Sequence, residues 1–180
     1  MKMANVALVG NPNCGKTALF NALTGSDQRV GNWSGVTVEK KTGIAEFAGE
    51  QCGIIDLPGI YSLFSYSTDV GIDEKIASDY LFQRDVDLIV NVVDAANLER
   101  HLYLTTQLLD LGLPVVIAVN MMDILERRNV QLDINSLAQK LRCPVVGIVA
   151  NRKKNITSLK HAIFEQVREP CLPVEHLQLP

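Results

Sequence analysis

The stretch that decides the fold is Gly10-Asn11-Pro12-Asn13-Cys14-Gly15-Lys16-Thr17-Ala18. It fits the pattern G-x-x-x-x-G-K-[ST], and its surroundings let the pattern work. An apolar, β-branched run, Asn5-Val6-Ala7-Leu8-Val9, precedes it. Ala18-Leu19-Phe20-Asn21-Ala22-Leu23, apolar at helical spacing, follows it and ends near Gly25. Strand, glycine-rich loop, helix is the context in which loop N–H groups and the positive end of a helix dipole converge on an anion. Lys16 would add a point charge on the phosphates and the Thr17 hydroxyl a ligand for Mg²⁺. The competing reading, an ordinary strand-to-helix turn, is weaker in this context.

Working outward, six segments read as strands: residues 5–10, 36–47, 51–56, 87–93, 114–120 and 144–149. The last three are nearly continuously apolar, as strands covered on both faces of a parallel sheet are. Residues 36–47 alternate more and read as an edge strand. Helical patterns lie at about 16–24, 74–83, 97–111, 133–142 and 156–168. The third places Leu98, Leu102, Thr105 and Leu109 on one stripe; in the fourth, Asp133 can cap and Ile134, Leu137 and Leu141 give a core face. Strands alternating with helices predict an α/β fold, a mostly parallel six-stranded sheet flanked by helices on both faces.

Two further motifs fall in order after the first. Asp56-Leu57-Pro58-Gly59 closes a strand: Asp56 can hold Mg²⁺, through water, and the Gly59 N–H can approach a γ-phosphate. Asn120-Met121-Met122-Asp123 closes another. A carboxylate at Asp123 can accept from the ring N–H and exocyclic amine of guanine, donors that adenine lacks in that arrangement. Asn120 can bridge this loop to the phosphate loop and the base. Together the motifs predict a domain that binds GTP and GDP.

The order and wording of these segments, with Val30-Gly31-Asn32-Trp33-Ser34-Gly35-Val36-Thr37-Val38-Glu39 between the first two, resemble the cytoplasmic G domain of the FeoB family, bacterial ferrous iron transporters. The resemblance covers residues 4 to about 168, and the segment around Trp33 is its most specific part. It implies a P-loop GTPase fold and Mg²⁺-dependent hydrolysis of GTP, with Lys16, Thr37, Gly59 and Asn13 taking part. Val36 and Thr37 would belong to a first switch, Thr37 closing on Mg²⁺ and the γ-phosphate. The side chain of Asn13 and the backbone carbonyls of Gly31 and Trp33 would hold K⁺ beside the phosphates, the charge-neutralising job an arginine finger does elsewhere. Val149, Ala150 and Asn151 would form the last base-contacting loop, the Ala150 N–H reaching the guanine carbonyl. The resemblance also implies that the rest of the protein is a helical domain and a membrane permease for Fe²⁺, that the full protein can form oligomers, and that this segment lies at the cytoplasmic face of the inner membrane.

Several positions depart from common patterns. Met121 stands where many GTPases carry lysine, and its polarizable side chain could pack over the base. Ile60 stands where Ras-like proteins place a water-orienting glutamine. An aliphatic chain cannot polarise water, so hydrolysis should be slow and rest on backbone groups, Thr37 and cations. Ser34 replaces a usual proline, and Val149 lacks the hydroxyl of the common Ser-Ala pair. Trp33, between glycines in a polar loop, is expected to be exposed.

Length and composition bound the alternatives. A chain of 180 residues is about one domain, and 47% hydrophobic with 21% charged residues suits a compact protein. Residues 1–168 read as the G domain and 169–180, with three prolines, as a linker or the truncated start of a helical domain. A net charge of −3 gives no basic field, so no nucleic-acid partner is expected. That counts against a ribosome- or RNA-associated assembly GTPase, which shares three of the motifs; a sensor that binds GTP without turnover is the other rival. The four cysteines include no C-x-x-C pair, neither a disulfide framework nor a zinc site, and suit a reducing compartment. No apolar run approaches the ~18–20 residues that span a bilayer. The N-terminus leads straight into the first strand, leaving no room for a signal peptide, so the segment reads as cytosolic.

Overall fold

Seven strands and the helices between them follow one another in the computed structural model, which describes residues 3–64, 71–83 and 85–172. In chain order these are β1 (Ala4–Gly10), α1 (Lys16–Thr24), β2 (Gln28–Asn32), β3 (Glu39–Phe47), β4 (Glu50–Asp56), α2 (Ile72–Phe82), β5 (Leu88–Asp94), α3 (Leu98–Leu109), β6 (Val115–Asn120), α4 (Met122–Arg127), α5 (Ile134–Leu141), β7 (Val145–Gly147) and α6 (Ile156–Arg168). The strands form one sheet in the order β2-β3-β4-β1-β5-β6-β7. The pairs from β4 through β7 are parallel, while β2–β3 and β3–β4 are antiparallel.

The central strands read as continuous apolar runs because both faces are covered. Val6, Ala7, Leu8 and Val9 of β1 are fully buried, as is every residue of β6 but Asn120, itself nearly so. Alternate residues feed two cores. Val6 and Leu8 pack with Leu19, Phe20, Ile163 and Phe164 under α1 and α6. Ala7 and Val9 pack with Ala77, Leu81, Leu104 and Leu108 under α2 and α3. Truncating Phe20, which is wholly enclosed, to alanine should cost about 3–5 kcal/mol.

The sheet has seven strands rather than six, and the additional one is β2. Its five residues are largely exposed and include Gly31, so they carry no hydrophobic period; the backbone ladder to β3 holds them. The edge therefore belongs to β2, not to β3. Strand β3 begins only at Glu39 because residues 33–38 make a tight turn, with the Trp33 N–H donating to the Val38 carbonyl at 2.9 Å. At the opposite edge β7 is three residues long and half-buried, not covered on both faces.

In α3 the buried stripe is His101, Leu104, Thr105 and Leu108, rotated from the expected one. Two polar residues earn that face through hydrogen bonds. The Asp94 N–H donates to His101 Nδ1 at 3.3 Å, and the Thr105 hydroxyl donates to Asn91 Oδ1. Helix α5 is capped as expected: the Ser136 N–H donates to Asp133 Oδ1 at 2.9 Å, an interaction typically worth about 1 kcal/mol. Helix α4, six residues directly after β6, is too short to show a period.

Candidate functional site

The loop from Gly10 to Gly15 leaves the carboxyl end of β1, between β4 and β5. Ligands of open α/β sheets bind at such a position. Gly15 has φ +84°, and a Cβ there would lie 2.2 Å from Asn120 Nδ2, so the loop requires glycine on both counts. Asn13 also adopts a left-handed conformation, at φ 65°, which asparagine tolerates better than most residues. Cys14 is fully buried within the loop. Burial, opposed by the Lys16 charge, pushes its thiol up to about 11, so it fills space rather than reacting.

The first two motifs meet directly. Lys16 Nζ donates to the Asp56 carboxylate, and both side chains are about nine-tenths buried. The Ile60 N–H donates to the Gly10 carbonyl at 3.0 Å and the Leu57 N–H to the Leu8 carbonyl at 3.2 Å, which fastens the Asp56–Gly59 turn against the loop. A Cβ on Gly59 would lie 3.1 Å from the Pro12 backbone, so glycine permits this approach. Between them opens a pocket of about 540 Å³ walled by Asn11, Pro12, Asn13, Gly15, Lys16, Thr17, Gly59, Asp73 and Met121. Thr17 and Asp56 offer hard oxygen donors, the set that suits Mg²⁺. Asn11 is 2% exposed, and its Oδ1 accepts no hydrogen bond among the described residues.

The third motif is tied to the first by one side chain. Asn120 Nδ2–H donates to the Cys14 carbonyl at 3.1 Å, while its Oδ1 accepts from the Ala150 N–H at 2.9 Å. In this arrangement the Ala150 N–H, the expected donor to a base carbonyl, is engaged by Asn120. The next N–H of that turn belongs to Asn151, which is exposed. Val149 is buried and exchanges backbone hydrogen bonds with Lys154 at 3.2 and 3.1 Å. Met121, at φ 63°, turns the chain from β6 into α4 and reaches the pocket wall. Met122 packs beside Gly147. Asp123 is not a lone acceptor: Arg127 Nη2 donates to its Oδ2 at 3.0 Å, and Arg152 Nη2 stands 3.8 Å from the same atom.

The first switch is not gathered into this pocket. Gly31 pairs with Lys40 in the β2–β3 ladder, and Val36 and Thr37 lie in the following turn, Thr37 exposed. The Trp33 carbonyl accepts from the Val36 N–H at 3.2 Å. Its side chain, expected in solvent, is half-buried against the α2–α3 core. Asp73, at the start of α2, is a pocket residue that sequence reasoning missed; an acidic residue soon after the Asp56–Gly59 motif was the available signal. A larger cavity of about 640 Å³, bordered by Lys40, Thr42 and Tyr80, contains none of the motif residues.

Comparison with known proteins places this geometry. Residues 4–163 match the family model described as ferrous iron transport protein B. The chain is 53% identical over 163 residues to the Fe(2+) transporter FeoB of Escherichia coli (strain K12), a match covering 91% of this chain and 21% of that protein. The chain thus spans about a fifth of the length of the curated relatives it matches. The cytosolic domain of L. pneumophila FeoB superposes with a TM-score of 0.89 at 46% identity, over 98% of this chain and 74% of that one. A mutant of S. thermophilus NFeoB bound to GDP superposes with a TM-score of 0.82 at 48% identity, over 90% and 61% of the two chains.

Proposed function

Because the chain belongs to the ferrous iron transport protein B (FeoB) family and is its N-terminal G domain, we propose that it is a slow GTP-hydrolysing switch regulating ferrous iron uptake across the bacterial inner membrane. The observation that carries the reading is the convergence of three separated motifs at the carboxyl ends of β1, β4 and β6: Lys16 against Asp56, and Asn120 bonded to both Cys14 and Ala150.

In this reading Lys16 and the N–H groups of residues 13–17 hold the β- and γ-phosphates, and the Gly59 N–H meets the γ-phosphate. Asp123 accepts from the guanine edge, with Arg127 and Arg152 fixing its carboxylate, and the Val149–Asn151 loop, through the Ala150 N–H, meets the base carbonyl. Thr17 and Thr37 would hold Mg²⁺, with Asp56 supporting it through water. When bound, Mg²⁺ neutralises charge on the β- and γ-phosphates. The Asn13 side-chain oxygen and the carbonyls of Gly31 and Trp33 are donors suited to K⁺, which would add positive charge between the β- and γ-phosphates, where negative charge develops on the leaving GDP. Gathering them requires Gly31 to leave its place in the β2–β3 ladder and Trp33 its hydrogen-bonded turn. Water attacks the γ-phosphorus and displaces GDP. Ile60 is fully buried and aliphatic, so no side chain at that place orients the water and turnover is slow.

Residues 1–168 form the switch and 169–180 lead toward the remainder of the protein, of which 173–180 lie outside the described residues. Residues 28–38 and 59–73 rearrange with the nucleotide; of these, 65–70 lie outside the described residues. The partners are the helical and permease domains of the same protein, and the segment works at the cytoplasmic face of the membrane. No helix among the described residues is long and apolar enough to cross a membrane.

Phosphate release by the purified domain in KCl and in NaCl tests the reading. Faster release in KCl, lost in Asn13→Ala, is the expected result. Saturable GTP binding without release in either salt would replace it with a sensor, the reading that Ile60 favours second.

A further inference from the structure

The indole of Trp33 is gripped by side chains of two other elements. Its ring meets that of Tyr80, on α2, edge to face, with centroids 5.5 Å apart and planes at 73°. Lys40 Nζ, on β3, lies 4.7 Å from the Trp33 ring centroid. The buried Nε1–H of the indole has no acceptor among the described residues. The backbone of the same residue closes the 33–38 turn that carries Thr37.

These contacts oppose one another. Edge-to-face and cation–π contacts favour the docked ring, while a buried N–H without an acceptor disfavours it. The docked position is consequently held but not locked, as an element that must yield to a ligand requires. Helix α2 connects it to the phosphates. Asp73 stands in the pocket wall, and Tyr80, seven residues on, lies two turns along the same side of the helix. A displacement of α2 at its phosphate end therefore reaches the ring that holds Trp33.

We propose that Trp33 is a latch: docked between Tyr80 and Lys40, it holds the 33–38 turn, and Thr37 with it, away from the phosphate pocket, and its release accompanies closure on a triphosphate. The proposal rests on the guanine-nucleotide reading above. It makes Tyr80 and Lys40, outside every motif, determinants of how well GTP is distinguished from GDP, because the latch must be opened for the first and not for the second.

Trp33 is the single tryptophan of the chain, so its emission reports the latch directly. Saturation with a non-hydrolysable GTP analogue and Mg²⁺ should shift that emission toward the solvent-exposed wavelength, and GDP should leave it in place. In Tyr80→Ala the free protein should already emit at the shifted wavelength, and the ratio of GTP-analogue to GDP affinity should rise about three- to tenfold. Tyr80→Phe, which keeps the ring, should behave as the parent, and Lys40→Gln should move both readouts in the Tyr80→Ala direction by less. Circular dichroism establishes that each variant is folded. Unmoved emission while the analogue displaces a fluorescent guanine nucleotide overturns the latch and leaves the nucleotide reading intact, as does a parental affinity ratio in folded Tyr80→Ala. Failure of the parent to take up the fluorescent nucleotide overturns both.

Discussion

The side-chain amide of Asn120 donates to the backbone carbonyl of Cys14 at 3.1 Å, joining residues 106 positions apart in sequence. With its Oδ1 accepting from Ala150, this one residue fixes the spacing between the phosphate loop and the last loop of the site. Asn120→Ala leaves a buried carbonyl and a buried N–H unpaired. Stability in urea should fall by about 1–3 kcal/mol, with guanine-nucleotide affinity falling alongside. A fall in affinity with an unchanged urea midpoint would assign Asn120 to the base alone.

Gly15→Ala should be more damaging than its size implies. The left-handed φ alone costs an alanine about 1–2 kcal/mol, and the new Cβ would collide with Asn120 Nδ2. Equilibrium binding of a fluorescent GDP should be lost in protein that still unfolds cooperatively. Retained binding would mean that the loop tolerates a shape other than this one.

Asp73 places a carboxylate in the wall of a pocket proposed to receive phosphate. Asp73→Asn removes a like charge, which at such range in a wet pocket is worth about 1 kcal/mol, or roughly a fivefold tightening. Competition binding should show the gain for a GTP analogue and less of it for GDP. An equal gain for both would locate Asp73 away from the γ-phosphate.

The cysteines should separate sharply under alkylation. Burial pushes the thiols of Cys14 to about 11 and of Cys52 and Cys143 to about 12. Near pH 8 the Cys14 thiolate is then on the order of one part in a thousand. Cys171 is exposed. Mass spectrometry after brief iodoacetamide treatment of native protein should find one adduct, on Cys171, and labelling of the other three only on unfolding.

His101 should make stability depend on pH. It accepts the Asp94 N–H on Nδ1 in a buried site, and burial lowers its pKa. The unfolded chain takes up that proton near pH 6.5 while the folded one resists. Below about pH 6.5 the unfolded state therefore binds more protons, and stability declines as pH falls toward the lowered value. Urea midpoints compared across this range should drop in the parent, with that component absent from His101→Gln.

What the sequence made legible was whatever buried hydrophobicity or a phosphate motif imposes. The P-loop between β1 and α1, the Asp56 turn and the Asn120 turn stand where their patterns put them, because a buried strand end and a left-handed glycine leave few alternatives. Elements held by backbone alone were not legible. Strand β2 has no apolar period, and its pairing with β3 is invisible until the turn at 33–38 is seen. Partnerships across the fold were equally hidden. Nothing in the composition of α3 says that His101 and Thr105 would find acceptors and donors on β5, nor that Trp33 would lie on Tyr80. The bond between the Ala150 N–H and Asn120 was hidden in the same way.

Met121 sits at φ 63° with a full-length side chain, at the very bend that brings β6 into the pocket. An L-residue pays about 1–2 kcal/mol for that conformation. A chain selected only for robustness would place glycine or asparagine there and become sturdier. With the methionine side chain in the wall of the proposed nucleotide pocket, Met121→Gly should harden the domain to heat and weaken its hold on nucleotide together.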